Sequence, residues 1–238
     1  MNFRYTLSKI ETKEEPDIRH ARFRAKKSLE GIVYDTVALE GNPFTFPEVK
    51  TLLEGITVGG HKVSDEKQVL NQAESWSRLF TLIEEKKFAL IKETFCELQG
   101  IVAREEALKW GTFRDGNVTI AGTNYTPPDW EQLDRIFNEG IAVLNEIDCP
   151  HEKAMAFFLF GSLNQFFWDG NKRTSRLMMN GILLSSGYDV INIPAKKKLE
   201  FNQKMTEFYN DRDGSPMMAF LSGCSLDLSL KLQIEKEK

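Results

Sequence analysis

The chain has 238 residues, of which 41% are apolar and 28% charged, a balance that supports a sizeable core in one structural unit. Its formal charge of −4, with no basic run longer than Lys196-Lys197-Lys198, excludes a general nucleic-acid or acidic-membrane surface. The spacing of Cys96, Cys149 and Cys224 excludes a disulfide framework or cysteine metal site, and the lack of a signal-peptide pattern or long apolar run points to a cytoplasmic protein.

Residues 2–10 alternate weakly, with Phe3, Tyr5 and Leu7 on one side, and read as a short strand. A long helix is expected over about 17–40, stopping at Glu40-Gly41-Asn42. Thr45-Phe46-Pro47-Glu48 supplies a cap, an early proline and an acid, and starts a short helix that ends near Gly55. Gly59-Gly60 marks a turn. Ser64 then caps a helix over about 65–86, with Val69, Leu70, Trp76, Leu79, Phe80 and Leu82 as its apolar positions. A further helix covers about 90–103.

Residues 110–127 change character. β-branched residues and the Asp115-Gly116 and Ala121-Gly122 turns predict a small β-hairpin, closed by Pro127-Pro128, which opens a helix to about 147. Two heavily apolar helices follow, over about 151–166 and 172–186, and read as the centre of the core. Pro194 opens another helix to about 210, and a short one spans about 215–222. In the tail, Leu226, Leu228, Leu230, Leu232 and Ile234 alternate with polar residues. That period of two predicts a strand, paired either with residues 2–10 or with another subunit in a homo-oligomer.

The polar turn between the two central helices is the most informative stretch: Gln165-Phe166-Phe167-Trp168-Asp169-Gly170-Asn171-Lys172-Arg173-Thr174-Ser175-Arg176. Arg173 and Arg176 share one face of a helix's first turns. Cations there oppose the macrodipole, so two of them beside free amide donors mark an anion site suited to a polyphosphate.

This segment resembles the signature of the Fic family, His-x-Phe-x-Asp-Gly-Asn-Gly-Arg-x-x-Arg. Phe167, Asp169, Gly170, Asn171, Arg173 and Arg176 match it; Gln165 replaces the histidine and Lys172 the usual glycine. Thr36-Val37-Ala38-Leu39-Glu40-Gly41 resembles the family's inhibitory motif, and the stretch ending in Tyr125-Thr126-Pro127-Pro128 resembles its target-docking flap. The similarity covers roughly residues 25–222. It implies a mainly α fold, a Fic-type helical bundle with a β-hairpin flap and short terminal strands. Residues 1–60 would form an N-terminal segment with the inhibitory helix, 61–223 the helical domain and 224–238 the tail.

The resemblance also implies roles. Asp169 would bind Mg²⁺, and Gly170, Asn171 and Lys172 would hold the α- and β-phosphates of ATP through their backbone amides. Arg173 would contact the β-phosphate and Arg176 the γ-phosphate. Glu40, with Thr36 and Gly41 completing its motif, would pair with Arg176 and keep the γ-phosphate out. Thr119, Ile120 and Tyr125 of the flap would dock the target. Active members transfer AMP from ATP to a protein hydroxyl, here a Ser, Thr or Tyr of a target protein. No nucleic-acid or membrane partner is expected.

The departures matter as much. Gln165 has an amide where the family has a base, and an amide takes no proton at neutral pH. Loss of a general base costs about 10² to 10⁴ in rate. His151, 14 positions earlier on the same helix, lies roughly 21 Å away at a helical rise of about 1.5 Å. Lys172 resembles the Doc branch, which transfers phosphate. Phosphoryl transfer and a non-catalytic, nucleotide-responsive interaction module therefore stand as alternatives to AMP transfer.

Overall fold

The computed structural model describes residues 1–7, 9–227 and 231–233. The described chain is mainly helical. A short strand β1 (Lys9–Glu11) is followed by α1 (Ile18–Lys27), α2 (Leu29–Leu39), α3 (Phe46–Leu53), α4 (Val63–Glu84) and α5 (Lys92–Val102). After a long loop come α6 (Leu133–Asn145), α7 (Pro150–Asn164), α8 (Asn171–Ser185), α9 (Lys198–Asp211), α10 (Ser215–Ser222) and β2 (Lys231–Gln233). No described helix is long and apolar enough to cross a membrane.

α7 and α8 form the centre. Nearly every residue of both helices is buried, as their apolar composition predicts. They approach closely at Gly161, where an added Cβ would lie 2.2 Å from Ser175 Oγ. Around the α7–α8 turn, Phe95, Phe113, Phe137, Phe166 and Phe167 interlock, with Phe95 and Phe167 ring centres 4.7 Å apart. Each such fully buried ring contributes about 1.5–3 kcal/mol by removal from water, so the polar turn stands on a rigid base. Trp168 remains at the rim, its Nε1 donating to Asp115 Oδ1 at 3.2 Å.

The helix ends follow local chemistry. Thr45 and Glu48 form a capping box at α3, with Pro47 in its first turn. α2 stops at Gly41, whose φ of +93° is left-handed. Gly41 N donates to Ala38 O and Asn42 N to Val37 O, which satisfies two of the helix's last carbonyls.

Three expectations need correction. The helix expected over 17–40 is two helices, because the backbone departs from helical geometry at Ser28. Lys62, rather than Ser64, occupies the N-cap of α4. The flap over 110–127 contains no strand pairing at all. It is an extended loop held by other groups: Arg114 donates to the carbonyls of Gly116, Pro128 and Gln165, and Asn124 N donates to Asn210 Oδ1. β-branched residues made the segment extended, but its backbone meets the side chain of its own Arg114 and the neighbouring Phe166 and Asn210 rather than a paired strand.

The strand expected at 2–10 is confined to β1, which pairs antiparallel with β2, Ile10 opposite Leu232. The tail thus meets the N-terminal segment of its own chain. Leu228, Leu230 and Ile234 of the alternating pattern lie outside the described residues.

Candidate functional site

The α7–α8 turn is shaped by two left-handed residues. Gln165 ends α7 at φ 47°, and Gly170 precedes α8 at φ +77°. A side chain at Gly170 would be strained, and its Cβ would sit 3.0 Å from Ala103 Cβ. Asn171 braces the turn: its Oδ1 accepts from Phe167 N at 2.9 Å, while its Nδ2 donates to Phe167 O at 2.8 Å. The first amides of α8 lack partners within the helix, as at any helix start, and sit at the positive end of its dipole.

A pocket of about 230 Å³ opens on this turn. Its walls include Glu40, Thr119, Ile120, Gln165, Asp169, Gly170, Asn171, Lys172 and Arg173. The fold therefore brings together most of the residues expected to form the site, from three separate stretches of chain. Tyr209 on α9, not singled out by the sequence, completes a wall. Tyr125 is set back from the pocket and stacks on Tyr209, with ring centres 6.3 Å apart. Thr36 is buried one turn before Glu40 on α2.

Glu40 sits between two cations. Its Oε1 accepts from Arg176 Nη2 at 3.0 Å, and its Oε2 lies 3.4 Å from Lys172 Nζ. Burial alone would raise the carboxyl's pKa; Arg176, Lys172 and Arg173 outweigh it and hold the pKa near about 2. Glu40 is thus ionised and engaged. Arg176 is almost wholly buried and also lies over Phe201, 5.5 Å from the ring centre. Burial lowers the pKa of its guanidinium, against the pull of Glu40.

Arg173 departs from its expected position. Both its terminal nitrogens donate to Glu106, each at 2.9 Å, and Nη1 also reaches Val102 O at 3.2 Å. Its side chain is 4% exposed. A fork expected to meet a β-phosphate is filled by a carboxylate from the loop after α5. Nothing in the spacing of Glu106 marked it, because the pairing is made by tertiary packing alone.

Asp169 has an exposed carboxylate on the pocket wall, and its backbone carbonyl accepts from Gln99 Nε2 at 3.0 Å. Among the described residues no group of three or more His, Cys, Asp or Glu is arranged to hold a metal. Asp169 Oδ1 accepts from Gly170 N at 2.5 Å and lies 3.8 Å from Arg173 Nη2; such an exposed carboxylate still fits Mg²⁺, which keeps several waters and shares phosphate oxygens.

Gln165 is turned away from proton chemistry. Its Nε2 donates back to Ser162 O at 2.6 Å, and its Oε1 accepts from Asn171 Nδ2 at 3.1 Å. The three histidines have partners elsewhere: His151 packs tilted against Tyr188 and burial lowers its pKa, His61 meets Glu48, and His20 meets Asp17.

Helices α7 and α8, with the turn at the positive end of the α8 dipole and its cation cluster, form the centre of the fold. Residues 89–183 match the Fic/DOC family. The protein adenylyltransferase Fic of Drosophila ananassae is 25% identical over 209 residues, covering 83% of this chain and 41% of the relative. That of Drosophila mojavensis is 25% identical over 207 residues, with coverage of 83% and 40%. Among solved structures, Fic-1 from C. elegans superposes with a TM-score of 0.73 at 20% identity, covering 87% of this chain and 67% of that one. A Fic-domain signalling protein from Bacteroides thetaiotaomicron gives 0.72 at 20% identity, covering 89% and 87%. The family match thus covers residues 89–183, the fold is that of the solved Fic structures, and the chain spans about two fifths of the length of the curated relatives it matches.

Proposed function

We propose that this chain binds ATP with Mg²⁺ at the α7–α8 turn, that Glu40 restrains this binding, and that AMP transfer to a protein hydroxyl is the chemistry the site is built for. The observation that carries the reading is the Glu40 carboxylate lodged between Arg176 and Lys172. A carboxylate there occupies ground that a phosphate would claim, so nucleotide and Glu40 compete for the same cations. The name of the curated relatives, protein adenylyltransferase, supports AMP as the transferred group. Asp169 would hold the Mg²⁺, which neutralises phosphate charge when bound.

In such transfer the target's hydroxyl oxygen attacks the α-phosphorus. The bond to the bridging oxygen breaks, and pyrophosphate leaves. The hydroxyl proton needs an acceptor, and Gln165 supplies none. Alignment and charge neutralisation remain, so the expected activity is weak. The side chains of Thr119 and Ile120 on the pocket wall support docking of the target beside the phosphates.

A second reading rests on Gln165 itself. With its amide closed on Ser162 and Asn171, the domain would serve as a nucleotide-responsive module that changes partners without catalysis. One experiment separates these readings. The protein and its Glu40→Gly form are incubated with Mg²⁺, cell lysate and ATP labelled at the α- or γ-phosphate. Protein labelling from the α-label alone supports AMP transfer, and from the γ-label alone supports phosphoryl transfer. Binding of ATP without labelling supports the module.

A further inference from the structure

Both motif arginines, and not only Arg176, are occupied by carboxylates. Arg173 gives its fork to Glu106, and Glu106 does not stand alone. Gln68 on α4 donates through Nε2 to Glu106 Oε2 at 2.8 Å. Gln68 Oε1 accepts from Asn42 Nδ2 at 3.0 Å, and Asn42 Oδ1 accepts from Phe44 N at 3.0 Å. Asn42 is the residue whose backbone N–H closes the end of α2, two positions after Glu40. A continuous run of bonds therefore leads from the end of the helix that carries Glu40 to Arg173.

The run has a fixed polarity. Phe44 N–H demands an oxygen from Asn42, which leaves the Asn42 amide to donate. Gln68 must then present its oxygen to Asn42 and its N–H₂ to Glu106. Flipping either amide would set donor against donor, so the chain is satisfied only in this one sense. Every donor points toward Glu106, which fixes the orientation in which its carboxylate meets Arg173. Asn42, Gln68 and Glu106 are all absent from the pocket wall.

We propose that Asn42, Gln68 and Glu106 form a second latch, which holds Arg173 as Glu40 holds Arg176, and that the end of α2 couples the two. The proposal rests on the reading of the turn as a triphosphate site. A phosphate that draws Arg173 away from Glu106 removes the fork that fixes the Glu106 carboxylate in place, so Gln68 loses a positioned partner and Asn42 part of its anchor beside Glu40. Release of Glu40 frees the end of α2 and loosens the same run from the other side. Asn42 and Gln68 are positioning residues of this device, and neither touches the nucleotide.

A double-mutant cycle tests the coupling. Gln68→Leu removes the bridge but leaves Asn42 its second acceptor, Asp65 O at 2.9 Å, so the fold keeps an anchor there. Calorimetric binding of ATP with Mg²⁺ is compared in the wild type, Gln68→Leu, Glu40→Gly and the double variant. With Glu40 present, Gln68→Leu should raise affinity about three- to tenfold, the range of one neutral hydrogen bond. In the Glu40→Gly background the gain should fall below about twofold. Equal gains in both backgrounds, or none with Glu40 present, overturn the proposal.

Hydrogen exchange without nucleotide provides the independent arm. Gln68→Leu should speed exchange in residues 37–44, and unchanged exchange there overturns the relay even where ATP binds. A Glu40→Gly protein that binds no ATP overturns the underlying nucleotide reading instead.

Discussion

The two ends of the 165–176 segment are built in opposite ways. From Lys172 to Arg176 every cation is matched by a carboxylate brought from a distant part of the chain: Glu40 meets Lys172 and Arg176, and Glu106 meets Arg173. At Gln165 the side chain satisfies itself locally, on its own helix and on Asn171. The cationic end is therefore held by carboxylates with which, on the proposed reading, a phosphate would compete. The Gln165 end stores nothing, because an amide bonded to its own turn has no proton to exchange. On the proposed reading, binding and catalysis would be separate properties of one short loop, each open to change alone.

Restoring the base should have the largest effect. In the Glu40→Gly background, Gln165→His should raise α-label transfer by about 10² to 10⁴, as expected for a general base. No gain would mean that the two ends differ by more than one side chain. The next effect is structural. Arg173→Met leaves Glu106 beside a buried apolar chain and should cost about 3 kcal/mol, measured by urea unfolding. A cost near zero would mean that the Arg173–Glu106 pair is incidental and that only Glu40 matters at the cationic end.

Removing the competitor comes third. Glu40→Gly should tighten ATP binding by about tenfold or more, equivalent to one charge-assisted hydrogen bond regained by the ligand. An unchanged dissociation constant would break the comparison, since the cations would then be structural.

The smallest effect is that of pH. Glu40 has a folded-state pKa lowered to about 2 from 4.5. A lowered carboxylate pKa contributes stability above the unfolded value, and that contribution disappears as pH falls through the folded value. Chemical denaturation of the wild type should therefore lose the Glu40 share between about pH 4.5 and 2, a loss missing from Glu40→Gln. Between pH 6 and 8 the latch stays ionised, so the affinity ratio of Glu40→Gly to wild type should not change.

Much of the fold was legible because local chemistry carries it. The capping box at Thr45 and Glu48, the stop at Gly41 and the nearly all-buried α7 and α8 follow from adjacent residues and apolar content. The flap was less legible. β-branched residues make a backbone extended, but whether it forms a ladder depends on what lies beside it, and here that is Arg114 and Asn210.

By itself the sequence determined a polar turn between two apolar helices and two arginines on one face of the second helix's first turns, all within one short stretch. It also determined that Gln165 offers no base, since this follows from the side chain's own chemistry. The motif resemblance implied that Glu40 meets Arg176, but only the tertiary structure decided that Lys172 shares Glu40 and that Glu106 meets Arg173. Glu40 lies 136 residues from Arg176 and Glu106 lies 67 from Arg173. Such partners are chosen by the packing of α2, α4 and the loop after α5 around α8. A buried guanidinium must find a counter-charge wherever that packing delivers one, and no local pattern records where that will be.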